Sequence, residues 1–227
     1  MSESSELLEL KYIISDKTHY GVIWKGSYDG DTCIVKVVVL NTGVHYDKRT
    51  GKYYDGERRI SRRTAGKVFA GDFKAPYLHS RYREKKAMDV ETFNRETEMM
   101  KTAGKLRLAP KLLDYWGDRT TYRIHYGVIV MERLSMTVKD ILLERDLGSD
   151  ELDTIQLKIR KLHERGIRHG DLKPSNIAVN CDSKGVIRKV RIIDWAKGEY
   201  TDNKKLFDND IGTFHQHMRK NIRERSK

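Results

Sequence analysis

His169-Gly170-Asp171-Leu172-Lys173-Pro174-Ser175-Asn176 is the stretch on which the reading of this chain turns. Eight residues gather an imidazole, a carboxylate, an ammonium and a carboxamide around one proline. Eighteen residues after Asn176 a second apolar run, Ile192-Ile193, ends in Asp194-Trp195-Ala196. Such a passage is either a polar turn between regular elements or a loop that carries chemistry, and the surrounding pattern has to decide.

Upstream, residues 8–40 carry strand signals. Tyr20, Val22 and Trp24 alternate with Gly21, Ile23 and Lys25, and Asp29-Gly30-Asp31 is a strong hairpin turn before the β-branched run Cys33-Ile34-Val35-Lys36-Val37-Val38-Val39. Two or three antiparallel strands fit. Residues 41–87 contain six turn-forming residues, Gly43, Gly51, Gly56, Gly66, Gly71 and Pro76, and no sustained period, so they read as an irregular surface insertion. From Asp89, the residues Val90, Phe93, Thr97 and Met100 recur at helical spacing up to Gly104, and strands follow at 111–116 and 123–132.

Beyond Glu132 the pattern turns helical. A short helix is expected at 137–145. A longer one is expected with Ser149 as its cap, Asp150 and Glu151 favouring its positive end, Leu152, Ile155, Ile159 and Leu162 as its apolar stripe, and Gly166 as its stop. Next comes a hairpin turning at Asp182-Ser183-Lys184-Gly185, with a strand at 190–193 leading to Asp194. Strands first and helices second predict an α+β fold of two lobes: 1–133, carrying the basic insertion 41–87, and 134–227.

The two passages around Asp171 and Asp194 resemble the catalytic loop and metal-binding triplet of the protein kinase superfamily, with HGDLKPSN in place of H-R-D-L-x-x-x-N and DWA in place of D-F-G. The resemblance implies a two-lobed kinase-like fold, an antiparallel-sheet N-lobe with a reduced helical C-lobe, and ATP and Mg²⁺ as cofactors. Phosphoryl transfer needs a carboxylate to accept the proton of the attacking hydroxyl, cations on the phosphates, and hard oxygen ligands for Mg²⁺. Asp171 takes the first role, Lys173 reaches the γ-phosphate, and Asn176 and Asp194 ligate metal. HGD at this point is similar to the vaccinia-related kinases.

Further expectations follow from the resemblance. Lys36 in Ile34-Val35-Lys36 stands where V-A-I-K would hold the α- and β-phosphates. Glu96 on the next helix is its expected partner, with Glu98 as the alternative, since the two face about 200° apart. Met131, in the gatekeeper position, begins the connector Met131-Glu132-Arg133-Leu134, whose backbone would meet adenine. Ile23, Ile34 and Ala178 would line the base, although each is equally credible as plain core.

Three departures stand out. The glycine-rich loop is reduced to Asp16-Lys17-Thr18-His19-Tyr20-Gly21-Val22-Ile23, keeping only Gly21, and side chains at Asp16 and Thr18 would hinder close approach to phosphate. Gly170 replaces the arginine that in kinases receives a phosphorylated activation loop. Only 33 residues follow Asp194, with no A-P-E triplet. That implies either a minimal kinase whose C-lobe is short of its usual peptide-binding helices, similar in size and layout to tRNA-modification-complex kinases and some pathogen effector kinases, or a fragment of a longer sequence. Residues 207–214 are expected to form one last helix, on which Asp210 would accept hydrogen bonds from the catalytic loop. His215 and His217 lack a third ligand at useful spacing for a metal.

Charge bounds the partners. The 227 residues hold 45 Lys+Arg against 33 Asp+Glu, 45 − 33 = +12, and residues 41–87 alone hold 13 − 5 = +8. This segment, with its interleaved tyrosines, reads either as a solvated insertion or as a docking surface. The kinase resemblance favours an acidic partner over nucleic acid. Within it, Ser61 and Thr64 follow paired arginines and are candidate phosphorylation sites. No apolar run approaches the ~18 residues of a membrane span. Cys33 and Cys181 are too few for a disulfide framework, which suggests buried, reduced thiols and an intracellular protein, cytoplasmic or nuclear. The expected function is an ATP-dependent Ser/Thr protein kinase acting on a protein substrate. The alternatives are a pseudokinase scaffold and a kinase of a small-molecule or RNA-linked substrate.

Overall fold

The computed structural model describes residues 7–16, 18, 20–40, 44–47, 49–55, 58–60, 88–119 and 125–225. These fall into two compact units, one of residues 1–94 and 112–132, the other of residues 95–111 and 133–227. Antiparallel sheet comes first and helices later, an α+β kinase-like fold.

The first unit is built on a five-stranded sheet in the order β1-β2-β3-β8-β7, from β1 (Leu8–Ser15), β2 (Gly21–Tyr28), β3 (Asp31–Leu40), β7 (Leu112–Arg119) and β8 (His125–Glu132), all neighbours antiparallel. The β2–β3 turn has positive φ at Asp29 (50°) and Gly30 (82°), the combination a tight two-residue hairpin requires. Register sorts the side chains. Val22, Trp24, Cys33, Val35, Val37, Val39, Val128 and Val130 form one buried cluster. The alternate positions bring Ile23 and Ile129 opposite Lys36, and Lys25 and Met131 opposite Ile34. On that second face the ring of Phe93 lies against Gly127. β3 is therefore buried on both sides, and Lys36, only 6% exposed, is the one charged side chain in its buried stretch.

The insertion is more regular than its sequence suggests. β4 (Val44–Asp47), β5 (Lys52–Asp55) and β6 (Arg58–Ile60) form a separate three-stranded meander. Glycines and charges mask its short alternations, and the turn before Lys52 was the available signal. The chain returns beside its point of departure: the N–H of fully buried Met88 donates to Val39 O at 2.8 Å. Ser61 and Thr64 lie outside the described residues.

α1 (Val90–Lys105) is capped by Asp89, whose carboxylate accepts the N–H and hydroxyl of Thr92 at 2.6 and 2.8 Å. The second unit adds β9 (Met136–Thr137), α2 (Val138–Glu144), α3 (Ser149–His163), β10 (Ile167–Arg168), β11 (Ile177–Cys181), β12 (Ile187–Ile192), β13 (Glu199–Tyr200) and α4 (Lys204–Arg225). β12-β11-β9 form one sheet, β10 pairs β13, and α2 packs on α4. The last helix is 22 residues long, far beyond the expected 207–214, because Phe214 and Met218 continue its buried stripe.

The cap of α3 differs from expectation. It is Gly148, whose N–H donates to Glu151 at 3.0 Å, while Ser149 lies inside the helix. Glu151 also displaces Leu152 from the buried stripe, because Arg145 grips its carboxylate at 2.7 and 2.8 Å and the N–H of Ile187 donates to it at 3.1 Å. Of the two cysteines Cys33 is buried and Cys181 only half-buried. Burial pushes both thiols above their ordinary pKa, which keeps them protonated.

Candidate active site

The loop from His169 to Asn176 joins β10 to β11 and is fixed from below by α4. Asp210 Oδ2 accepts the backbone N–H of His169 at 2.8 Å and Oδ1 that of Gly170 at 2.9 Å, as the sequence led one to expect. His163, the last residue of α3, places Nε2 3.4 Å from Asp210 Oδ2 and stacks on Phe207. Asp210 is 2% exposed. Burial pushes its pKa up, but the hydrogen bonds from His163, His169 and Gly170 outweigh this and hold it below the usual carboxylate value. A carboxylate clamp of this kind fixes two consecutive peptide units, 168–169 and 169–170.

Gly170 has φ +76°, and a Cβ there would lie 2.6 Å from Lys197 O. No side chain fits, which explains why glycine stands where kinases carry arginine. His169 is fully buried. The N–H of Asp171 points at its Nδ1 (3.3 Å) and its Nε2 lies 3.0 Å from Ile193 O, so Nε2 carries the proton and donates to that carbonyl. Burial lowers its pKa against the opposing pull of Asp210, Asp194 and Asp171, and the ring stays neutral. Its edge-on contact with Trp195, centroids 4.9 Å apart, ties the loop to the Asp194 turn.

Asp171 is the hub. Its Oδ2 accepts Lys173 Nζ at 2.7 Å and Asn176 Nδ2 at 3.2 Å, while Asn176 Nδ2 also reaches the Asp171 carbonyl at 2.9 Å. Both acceptors fix the amide orientation and turn Asn176 Oδ1 away from them. Pro174 starts the short 3₁₀ turn Pro174–Asn176, and Asn176 N–H closes it on Lys173 O at 2.8 Å. β11 and β12 pair Ile177 with Ile192, and Ile193 N–H donates to Asn176 O at 2.9 Å, so Asn176 and Asp194 stand at adjacent ends of one ladder. Asp194 has φ 67° and ψ 67°, a left-handed conformation held by its neighbours: buried Trp195 donates to Ile192 O at 2.9 Å, and Arg95 reaches Ala196 O at 3.3 Å.

The remaining sequence-predicted residues divide between the units. Gly21, Ile23, Ile34, Lys36, Met131 and Glu132 belong to the five-stranded sheet; Glu96, Leu134 and Ala178 belong to the second unit with Asp171, Lys173, Asn176 and Asp194. Glu96 is fully buried on α1, whereas Glu98 is exposed and pairs with Lys101 at 3.6 Å. Gly21 has a packing reason of its own, since a Cβ would lie 2.2 Å from Val37 O. Thr18 closes the turn before it, its hydroxyl donating to Gly21 O and accepting Gly21 N–H. Hard oxygen donors at Asn176 and Asp194 suit Mg²⁺, which takes one or two protein ligands and completes its shell with phosphate oxygens and water.

Two residues went unnoticed in the sequence. His163 beneath Asp210 is one. The other is Lys197, whose Nζ stands 4.0 Å from Asp171 Oδ1. Only chain closure around Gly170 brings it there, and its spacing of three from Asp194 carries no signal.

A family model described as the lipopolysaccharide kinase (Kdo/WaaP) family matches residues 47–226. The match takes in Glu96, the catalytic loop, the Asp194 turn and Asp210, and begins after the strand that carries Lys36. No protein of curated function matches the chain. The match spans 226 − 46 = 180 of the 227 residues, and the chain belongs to the lipopolysaccharide kinase (Kdo/WaaP) family.

Proposed function

We propose that the chain is an ATP-dependent kinase whose acceptor is a hydroxyl of a sugar or other small glycan, in place of the protein Ser/Thr hydroxyl expected first. The reading rests on one observation: the clamped loop that presents Asp171 with Lys173 and Asn176 lies wholly inside the match to a family described as lipopolysaccharide kinases. Asp171 Oδ1 orients the acceptor O–H and takes its proton as the oxygen bonds to the γ-phosphorus. The bond from that phosphorus to the β–γ bridging oxygen breaks, ADP leaves, and the proton passes to solvent. Lys173 spreads charge from the γ-phosphoryl oxygens. Asn176 Oδ1 and the Asp194 carboxylate would hold Mg²⁺, which when bound neutralises phosphate charge. Lys36, Ile23, Ile34, Met131 and the backbone of Glu132 on the first unit, and Glu96, Leu134 and Ala178 on the second, keep the nucleotide roles that the kinase resemblance implies.

The test is transfer from γ-labelled ATP with Mg²⁺ to core oligosaccharide released from lipopolysaccharide, beside casein and a basic protein as acceptors. Label on the glycan that falls by about 10²–10⁴ in Asp171→Asn is the expected result. Asp171-dependent label on protein alone would restore the protein-kinase reading. Equal label with wild type and Asp171→Asn would sink the catalytic claim altogether.

A further inference from the structure

Four cations gather in the second unit where α3, β12 and the turn that leaves α1 meet. Lys158 and Lys161 stand three residues apart on one face of α3, and α3 packs on β12, which carries Arg191. Arg107 follows the end of α1. The N–H of Ile192 donates to Leu108 O at 2.7 Å, so Arg107 and Arg191 are each one residue before the bonded pair. Lys158 flanks Ile155 and Leu162 of the buried stripe and is itself half-buried. Among the described residues, none of Arg107, Lys158 and Lys161 pairs with a carboxylate. Burial first, then Arg191, Lys161 and Arg107, push the pKa of Lys158 down, and no acid opposes them.

The turn carries a second sign of purpose. Arg107 has φ 57°, the left-handed position after a helix that glycine fills at least cost. Its N–H closes on Gly104 O at 2.9 Å and that of Leu108 on Ala103 O at 2.8 Å, so this conformation is fixed. Stability alone would favour glycine at 107 and an apolar or acidic residue at 158. Both positions instead hold cations that repel each other, a cost that a bound anion offsets.

The chemistry of the donors selects the anion. A carboxylate brings one charge, whereas a phosphate monoester brings about two and three acceptor oxygens. Guanidinium groups grip such oxygens in pairs, and ammonium groups add point charge. We propose that Arg107, Lys158, Lys161 and Arg191 form an anion site, apart from the catalytic loop, that binds a phosphate-bearing ligand and ties the turn after α1 to α3 and β12. Ile192 stands two residues before Asp194, so the occupied site steadies the strand that leads to that carboxylate.

The experiment is thermal unfolding of the full chain with pyrophosphate in EDTA, against sodium chloride at equal ionic strength. Wild type, Lys158→Met, Arg107→Gly and Lys158→Arg are compared. Saturating pyrophosphate should raise the wild-type Tm by at least about 2 °C. Lys158→Met and Arg107→Gly should melt no lower than wild type without ligand, because repulsion falls and glycine suits the turn, yet lose most of the shift. Lys158→Arg should keep it. Any shift common to all four proteins reports pyrophosphate held elsewhere, so the part that depends on Lys158 measures this site. Sedimentation with phosphatidate vesicles separates two sources of phosphate: Lys158-dependent pelleting without a pyrophosphate shift assigns a lipid headgroup, and the reverse assigns a free phosphate compound. Equal shifts and equal pelleting for wild type, Lys158→Met and Arg107→Gly overturn the site. So does a Lys158→Met protein that melts below wild type without ligand, because the ammonium then already has its partner within the fold.

Discussion

The carboxylate of Asp210 accepts the backbone N–H of Gly170 at 2.9 Å across 40 residues of chain, and through that bond the last helix fixes the position of Asp171. The other oxygen takes the N–H of His169. Two peptide donors are satisfied by one buried carboxylate.

Replacing Asp210 by Ala strands both donors, and unfolding by urea should show a loss of roughly 3 kcal/mol. Because the folded pKa is depressed, the contribution of Asp210 is complete above its ordinary value of 3.8 and is lost as pH falls through the lower folded value. Wild type and Asp210→Ala should therefore converge in acid. A constant gap down to the acid transition would show that the charge is not what holds the loop.

Gly170→Ala combines two penalties, the positive φ and a contact of 2.6 Å with Lys197 O. Gly185 isolates the first, since its φ is +77° and nothing lies within 4 Å of its missing Cβ. Gly185→Ala should cost about 1 kcal/mol and spare activity. Gly170→Ala should cost more and reduce phosphate transfer by at least about tenfold, because relief comes only from moving Asp171 or Lys197. Equal effects on stability and rate would argue against the close packing of these loops.

Much of this site was legible in sequence because it is local. Asp171, Lys173 and Asn176 sit within six residues, so their chemistry and spacing survive any error in tertiary structure. Asp210 was legible through the kinase pattern of a helix returning beneath the loop. Lys197 was not, since it meets Asp171 only after Gly170 and the Asp194 turn have folded against each other. The cap of α3 failed for a similar reason. Ser149 has the better local propensity, but the carboxylate of Glu151 gains Arg145 and the N–H of Ile187 only in the folded chain, and that outweighs a hydroxyl cap. The strands β4 to β6 were hidden because period-2 patterns three or four residues long do not rise above noise.

Glu151 supplies a second acid-sensitive contact, remote from the chemistry. The Arg145 hydrogen bonds, helped by those from Gly148 and Ile187 and opposed by burial, lower its pKa from 4.5 to about 2. Stability from this group is full above about pH 4.5 and disappears as pH falls through about 2. Glu151→Gln should be less stable than wild type at pH 7, with the difference shrinking across that window in urea titrations. It should leave the ratio of transfer to different acceptors unchanged, since the hydrogen bonds of Glu151 run to Arg145, Gly148 and Ile187, outside the catalytic loop.

His169 responds in a different range. Its folded pKa lies below the ordinary 6.5 because burial resists the charge, so between the two values the unfolded chain takes up a proton that the folded chain refuses. Wild-type stability should fall as pH drops below about 6.5. A Gln at this position keeps a donor for Ile193 O but cannot be protonated. His169→Gln should start lower at pH 7, by about 1–2 kcal/mol, because the ring contact with Trp195 and the acceptor for the Asp171 N–H are lost. Its stability should then decline less steeply than wild type between pH 6.5 and 5. The other histidines contribute to both curves alike, so the difference in slope isolates His169. Parallel curves would mean that the ring accepts a proton in the folded state, and the assignment of Nε2–H to Ile193 O with Nδ1 as acceptor would have to be abandoned.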